Sequence, residues 1–214
     1  MADPNSPLNS PEQIPFDLAP PKAMSFDNFL TSECNQKILV HIKDWRNWPS
    51  PILLLIGESG TGKTHLGQAF SAQGDKINVI DDIEKCDEGE LFSIMNLALT
   101  GEIDALLLTA KTYPDKMTIA MPDLRSRLKN APILELLDPD DELLEGITRR
   151  LFEDGGRVVS KDVVTYIVSR TARTVPALQR LVERLERQAQ SDKSDMTKAF
   201  VSRHISHWDE PELC

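Results

Sequence analysis

A chain of 214 residues has room for one α/β domain and a small appendage but not for two large domains. Its 40% hydrophobic and 27% charged residues are ordinary for a globular protein and exclude fibrous and wholly disordered classes, while Cys34, Cys86 and Cys214 are too few and too scattered for a disulfide framework or a metal cluster. A formal charge of −10 makes a protein partner the expectation and direct DNA binding not, and with neither a long apolar run nor a signal peptide the protein is expected in the cytoplasm, off the membrane.

Residues 1–22 hold six of the fourteen prolines among polar residues, a composition that predicts a disordered tail. Inside it lies one condensed apolar patch, Gln13-Ile14-Pro15-Phe16-Asp17-Leu18. It reads either as a short peptide-recognition motif or as a segment that folds back on the domain.

Foldable sequence begins near Ser25. Asp27 to Trp48 predicts one or two helices, with Ile38, Leu39, Ile42 and Trp45 on the apolar face and Pro49 as the stop. Pro51 to Ile56 is a continuous apolar run, as expected of a parallel strand covered on both faces. Further runs at Ile77–Ile80, Ile103–Leu108 and Ile133–Leu137 alternate with helical segments starting near Lys63 and Glu90, which predicts a parallel sheet. Beyond Leu137 only helices are expected. Asp138 caps the first, with Pro139 opening it, and Leu143, Leu144, Ile147 and Leu151 form its stripe until Gly155-Gly156. Ser160 caps a second, Thr174 a third carrying Leu178, Leu181, Val182 and Leu185, and a short helix spans Lys198 to His204.

The first strand runs into Gly57-Glu58-Ser59-Gly60-Thr61-Gly62-Lys63-Thr64, which fits GxxxxGKT and opens a helix, the context a phosphate-binding loop requires. Its glycines let backbone N–H groups turn inward around phosphates, and the helix dipole adds positive potential. Lys63 is expected on the terminal phosphates and the Thr64 hydroxyl on Mg²⁺, with ADP or ATP as ligand. Asp81 and Asp82 end the Ile77–Ile80 strand, where the first carboxylate suits holding Mg²⁺ through water and the second orienting an attacking water. An exposed turn would carry the same pair. Thr109 ends another strand and reads as a γ-phosphate sensor or as a simple strand cap. Arg125 and Arg127 share the short helix that starts near Pro122, where one could project toward a neighbour's nucleotide or both could face water.

This order, phosphate loop, Asp-Asp, strand threonine, Asp123-Leu-Arg-Ser-Arg127 and then a helical bundle, resembles the AAA+ core of the DnaA/Hda family of replication proteins, as do Ser25-Phe26-Asp27-Asn28-Phe29 and the His65-Leu66 that follows Thr64. The resemblance covers roughly residues 24–205 and implies a P-loop AAA+ fold, a three-layer parallel α/β sheet at 23–137 followed by a small α-helical lid at 138–214. On this resemblance the helix-turn-helix domain of the initiators is expected to be missing, and Gln13, Phe16 and Leu18 match the spacing of a sliding-clamp-binding peptide. The resemblance further implies two partners, the beta subunit sliding clamp of DNA polymerase III and the DnaA initiator, with Arg127 as an arginine finger and His65 beside the nucleotide. Self-association stays open.

Three features depart from the family. The lid's sensor arginine aligns with Pro176, leaving Arg173 as the nearest substitute. The 18 positions from Lys63 to Asp81 are too few for the usual helix, strand and helix, so an edge strand is expected to be missing. Asp82 stands where rapidly hydrolysing relatives carry Glu, which implies weak or no hydrolysis by the chain itself. The resemblance thus implies a negative regulator of replication initiation that binds the clamp and stimulates hydrolysis of DnaA-bound ATP; the alternative is an AAA+ ATPase working in its own right, as a helicase loader or other replication factor.

Overall fold

The computed structural model describes residues 24–205, so Gln13, Phe16 and Leu18 lie outside the described residues. Four strands, β1 (Ile52–Ile56), β2 (Ile77–Ile80), β3 (Ala105–Ala110) and β4 (Ile133–Glu135), form one parallel sheet in the order β2-β3-β1-β4. The central strands β1 and β3 are buried at every position, the reason β1 is an unbroken apolar run and β3 is apolar at every position but Thr109.

Alternation along these strands sorts side chains into two layers. Ile52, Leu54 and Ile56 of β1 join Leu106 and Leu108 of β3 on the face covered by α3 (Glu88–Leu99) and α4 (Pro122–Asn130). Leu53, Leu55, Ala105 and Leu107 point to the other face, against α1 (Gln36–Lys43) and α2 (Lys63–Ser71). By the same alternation Thr109 lies on the α2 side. This is the three-layer α/β architecture expected from the sequence, and no strand intervenes between α2 and β2, which forms a sheet edge.

A third core belongs to the four following helices, α5 (Asp141–Asp154), α6 (Lys161–Val168), α7 (Val175–Ser191) and α8 (Lys198–Ile205). Leu178, Leu181 and Leu185 of the stripe read at helical spacing fill it together with Phe152, Ile167 and Val201. Thr174 caps α7 by accepting from the Ala177 N–H.

Several local expectations are corrected. The helix cap lies at Asp140, which accepts the Leu143 N–H at 2.8 Å, and not at Asp138; the Asp138-Pro139 pair stays in the connector because Pro139 makes an extended residue before it favourable. The Asp27–Trp48 region is a short 3-10 turn at Phe26–Asn28, α1, and a second turn at Trp45–Asn47. β3 begins at Ala105, two residues late, so Thr109 is inside the strand. β4 ends at Glu135, and Leu137 is exposed.

Candidate functional site

A cavity of about 760 Å³ opens where the loop between β1 and α2, the carboxyl end of β2, the segment before α1, and α5 and α7 of the bundle converge. Ser59 to His65 line it, together with Asp81 and Asp82, Phe29, Ile147 of α5 and Pro176 of α7. The volume suits a nucleotide. No helix among the described residues is long and apolar enough to cross a membrane.

The loop geometry follows from glycine. Gly60 and Gly62 hold φ of 85° and 105°, left-handed conformations that other residues adopt only with strain. A methyl group at Gly60 would come within 2.5 Å of the Pro176 ring, so the loop touches the first turn of α7 directly. Lys63 is buried and donates to the carbonyls of Gly57 at 2.6 Å and Glu58 at 2.8 Å. Its burial holds the ammonium below the ordinary lysine range, against the opposing pull of Asp81 and Asp82. Thr61 is buried and donates to the Glu58 carbonyl at 3.0 Å.

The two carboxylates do different things. The Thr64 hydroxyl donates to Asp81 Oδ2 at 2.8 Å, and the fully buried Thr109 hydroxyl donates to Asp81 Oδ1 at 2.5 Å while accepting the Asp82 N–H at 2.8 Å. Asp81 is thereby fixed from both sides. Asp82 has a left-handed backbone, φ 57°, and its carboxylate pairs with Lys85 at 2.5 Å, which holds its pKa below the usual carboxylate range. A Mg²⁺ ion prefers hard oxygens and few protein ligands beside phosphate and water. Thr64 and Asp81 are such a donor set, and among the described residues no cluster of three or more His, Cys, Asp or Glu forms a self-sufficient metal cage.

Most of the residues singled out in sequence therefore meet at one place. Gly57, Glu58 and Thr109 support it from behind: their polar atoms are engaged with Lys63, Thr61, Asp81 and Asp82, and Thr109 does not line the cavity. His65 lines it, with Nε2 3.1 Å from the Ser25 carbonyl and its ring edge-on to Phe29 at 5.3 Å. Arg173 is outside it, exposed and paired with Asp141 at 2.6 Å. Arg127 is on another face, stacked 4.4 Å over the Phe92 ring and donating to Asn96 of α3, and Arg125 donates to the Ile119 carbonyl.

The cavity also contains Asn28, read from sequence only as part of the Ser25–Phe29 motif, and four residues not picked out from sequence: Lys85, Lys111, Arg150 and Gln179. Arg150 carried a legible signal. It stands seven residues after Leu143 and three after Ile147, a charge on the apolar stripe of α5. Lys85, at the end of the 3-10 turn Ile83–Lys85, and Lys111, just after β3, carried none.

No family model matches the chain. It is 23% identical over 189 residues to an uncharacterized protein of Haemophilus influenzae, covering 73% of this chain and 82% of that one. Domain III of the Thermotoga maritima replication initiation protein DnaA superposes with a TM-score of 0.75 at 17% identity, over 89% of this chain and 99% of that one. AMPPCP-bound DnaA from Aquifex aeolicus gives 0.62 at 17% identity, over 79% and 69%. The RuvB Holliday junction branch migration motor of Thermotoga maritima gives 0.64 at 20%, over 86% and 71%. The chain thus has the fold of the AAA+ P-loop ATPase domains of DnaA and RuvB.

Proposed function

We propose that the chain is an Hda-like negative regulator of DNA replication initiation, an AAA+ protein that binds ADP or ATP, docks on the sliding clamp and stimulates hydrolysis of DnaA-bound ATP. One observation carries the reading: Arg127 stands apart from the chain's own cavity, and α7 brings Pro176 rather than an arginine into it. An arginine placed that way suits a phosphate held by a neighbouring molecule.

In this reading the loop amides and Lys63 hold the nucleotide's phosphates and Thr64 with Asp81 would hold Mg²⁺, which supplies charge neutralisation on the phosphate oxygens. The Lys63 ammonium leaves two loop carbonyls to meet them. Asp82, the candidate for orienting water, is tied to Lys85, and that pairing supports weak or no hydrolysis in this site. Arg127 acts in trans: its planar guanidinium stays charged and presents forked donors to the charge that develops on a transferring phosphoryl group. Such fingers are worth on the order of 10³ to 10⁵ in rate. Residues 23–137 act as the nucleotide-binding domain, 138–214 as its lid, and Gln13, Phe16 and Leu18 in the 1–22 tail bring the protein to the clamp. The separate apolar cores of the sheet and of α5–α8 support that division.

The test is hydrolysis of DnaA-bound ATP with DNA-loaded clamp, with and without the protein. Stimulation is expected from the wild type. Arg127→Ala should retain clamp binding and lose stimulation, whereas alanine at Gln13, Phe16 and Leu18 together should lose the clamp. Absence of stimulation by the wild type rejects the reading.

A second reading, an AAA+ ATPase such as a helicase loader acting on its own substrate, draws on the unbroken Thr64–Asp81–Thr109 hydrogen-bond chain and the likeness to the RuvB motor. It requires rapid turnover by the isolated protein, abolished by Lys63→Ala.

A further inference from the structure

The segment before α1 lies between the phosphate loop and the lid helix α5. On one side, the Phe29 ring comes to 3.1 Å from the position a Cβ would take at Gly62 and packs on His65, whose Nε2 meets the Ser25 carbonyl. On the other, the segment runs antiparallel to α5. The Asp140 carboxylate accepts hydrogen bonds from Ser32 and Cys34 at the start of the helix, Leu30 packs against Gly146 one and a half turns on, and Arg150 holds Asn28 one turn further.

The last contact is the directional one. Arg150 donates through Nη1 to the Asn28 carbonyl at 3.1 Å and through Nη2 to Asn28 Oδ1 at 2.7 Å, a forked grip of the kind a guanidinium makes best. Both residues line the nucleotide cavity, and Arg150 is the only arginine among its described lining residues. The direct contact of lid and loop at Gly60 and Pro176 is apolar and can slide without losing a hydrogen bond.

We infer that Arg150 and Asn28 form a latch between α5 and the segment lying on the phosphate loop, and that this latch sets how long a nucleotide stays in the cavity. The inference rests on the nucleotide-binding part of the proposed function. In this inference the ligand leaves as α5 and the segment separate, and separation breaks both hydrogen bonds to a charged group. The helix does not depend on Arg150 for its folding, because Leu144 and Phe152 anchor it in the bundle core and Asp140 caps it. Arg150 is a positioning residue here, acting through Asn28.

The experiment is stopped-flow displacement of a fluorescent ADP analogue by excess ADP from the full chain, with a fluorescent adenosine analogue run in parallel. Loss of hydrogen bonds to a charged, half-exposed group predicts a displacement rate about tenfold faster for Arg150→Ala. Asn28→Ala should give a smaller increase, since the backbone carbonyl remains as acceptor. The double variant should be no faster than Arg150→Ala alone, and Arg150→Lys should fall between that variant and the wild type. The adenosine analogue should show the same acceleration. An unchanged rate in Arg150→Ala and Arg150→Lys, or full multiplication of the two effects in the double variant, overturns the latch. An effect confined to the phosphorylated analogue overturns it too, making Arg150 a direct phosphate contact. Lys63→Ala separates the two levels: if the wild type and Lys63→Ala alike show no saturable ADP binding, the nucleotide reading fails and the latch with it; if only Lys63→Ala loses binding and the Arg150 variants are silent, the latch alone fails.

Discussion

At the residue scale, the Thr109 hydroxyl makes two bonds that hold the acidic pair in place, one to the Asp81 carboxylate and one from the Asp82 N–H. The second bond secures a residue in the left-handed region, where a non-glycine backbone carries strain. Thr109→Val keeps the shape and removes both partners, leaving a backbone donor and a carboxylate oxygen without them. A loss of about 1 to 3 kcal/mol in stability is expected from the shift of the denaturation midpoint, and Thr109→Ser should restore most of it. Gly60 is the other residue whose chemistry is dictated by its surroundings. Gly60→Ala meets both a φ of 85° and the Pro176 ring 2.5 Å away, so it should push α7 from the loop and weaken nucleotide binding in a direct titration, while Gly156→Ala, strained but in open space, should leave binding alone.

At the scale of elements, α5 joins the helical bundle to the segment before α1. Its stripe supplies the bundle core, its cap Asp140 gathers hydrogen bonds from Leu143, Ser32 and Cys34, and Arg150, about one turn before its end, holds Asn28. Burial pushes the Asp140 carboxyl up, but these hydrogen bonds outweigh it and hold the group below the ordinary aspartate value. The sign follows from linkage. A carboxyl with a depressed folded pKa contributes stability that is complete above the unfolded value, about 4, and is lost as pH falls through the lower folded value. Asp140→Ala should therefore cost about 1 kcal/mol at neutral pH, in the range of a lost helix cap, and its penalty should shrink in acid; thermal melts of both proteins from pH 7 to pH 3 measure this.

At the scale of the whole molecule, the arrangement puts the two chemically committed regions on different surfaces. The cavity lies at the carboxyl ends of β1 and β2 under the bundle, whereas Arg127 sits on the α3–α4 face with Phe92 and Asn96. Lys63→Ala should thus remove nucleotide binding without disturbing Arg127, and Arg127→Ala should leave nucleotide affinity within about twofold of the wild type by calorimetry, since distant sites behave additively. Much of this was legible in the sequence. Continuous apolar runs gave away β1 and β3 because both faces of those strands are covered, and helical stripes gave away the bundle because each helix buries one side. The phosphate loop was legible because its glycines, lysine and threonine serve one local backbone shape, set within eight consecutive residues. The Asp81-Asp82 pair could be read for the same reason, as a local motif at a strand end. What sequence could not settle were relations between distant segments: that Thr109 turns toward the acidic pair instead of lining the cavity, that Arg173 pairs with Asp141 outside it, and that Arg150 enters it to hold Asn28, 122 residues away. Local patterns specify which face of an element is buried, but only the packing of sheet against bundle decides which side chains share a cavity.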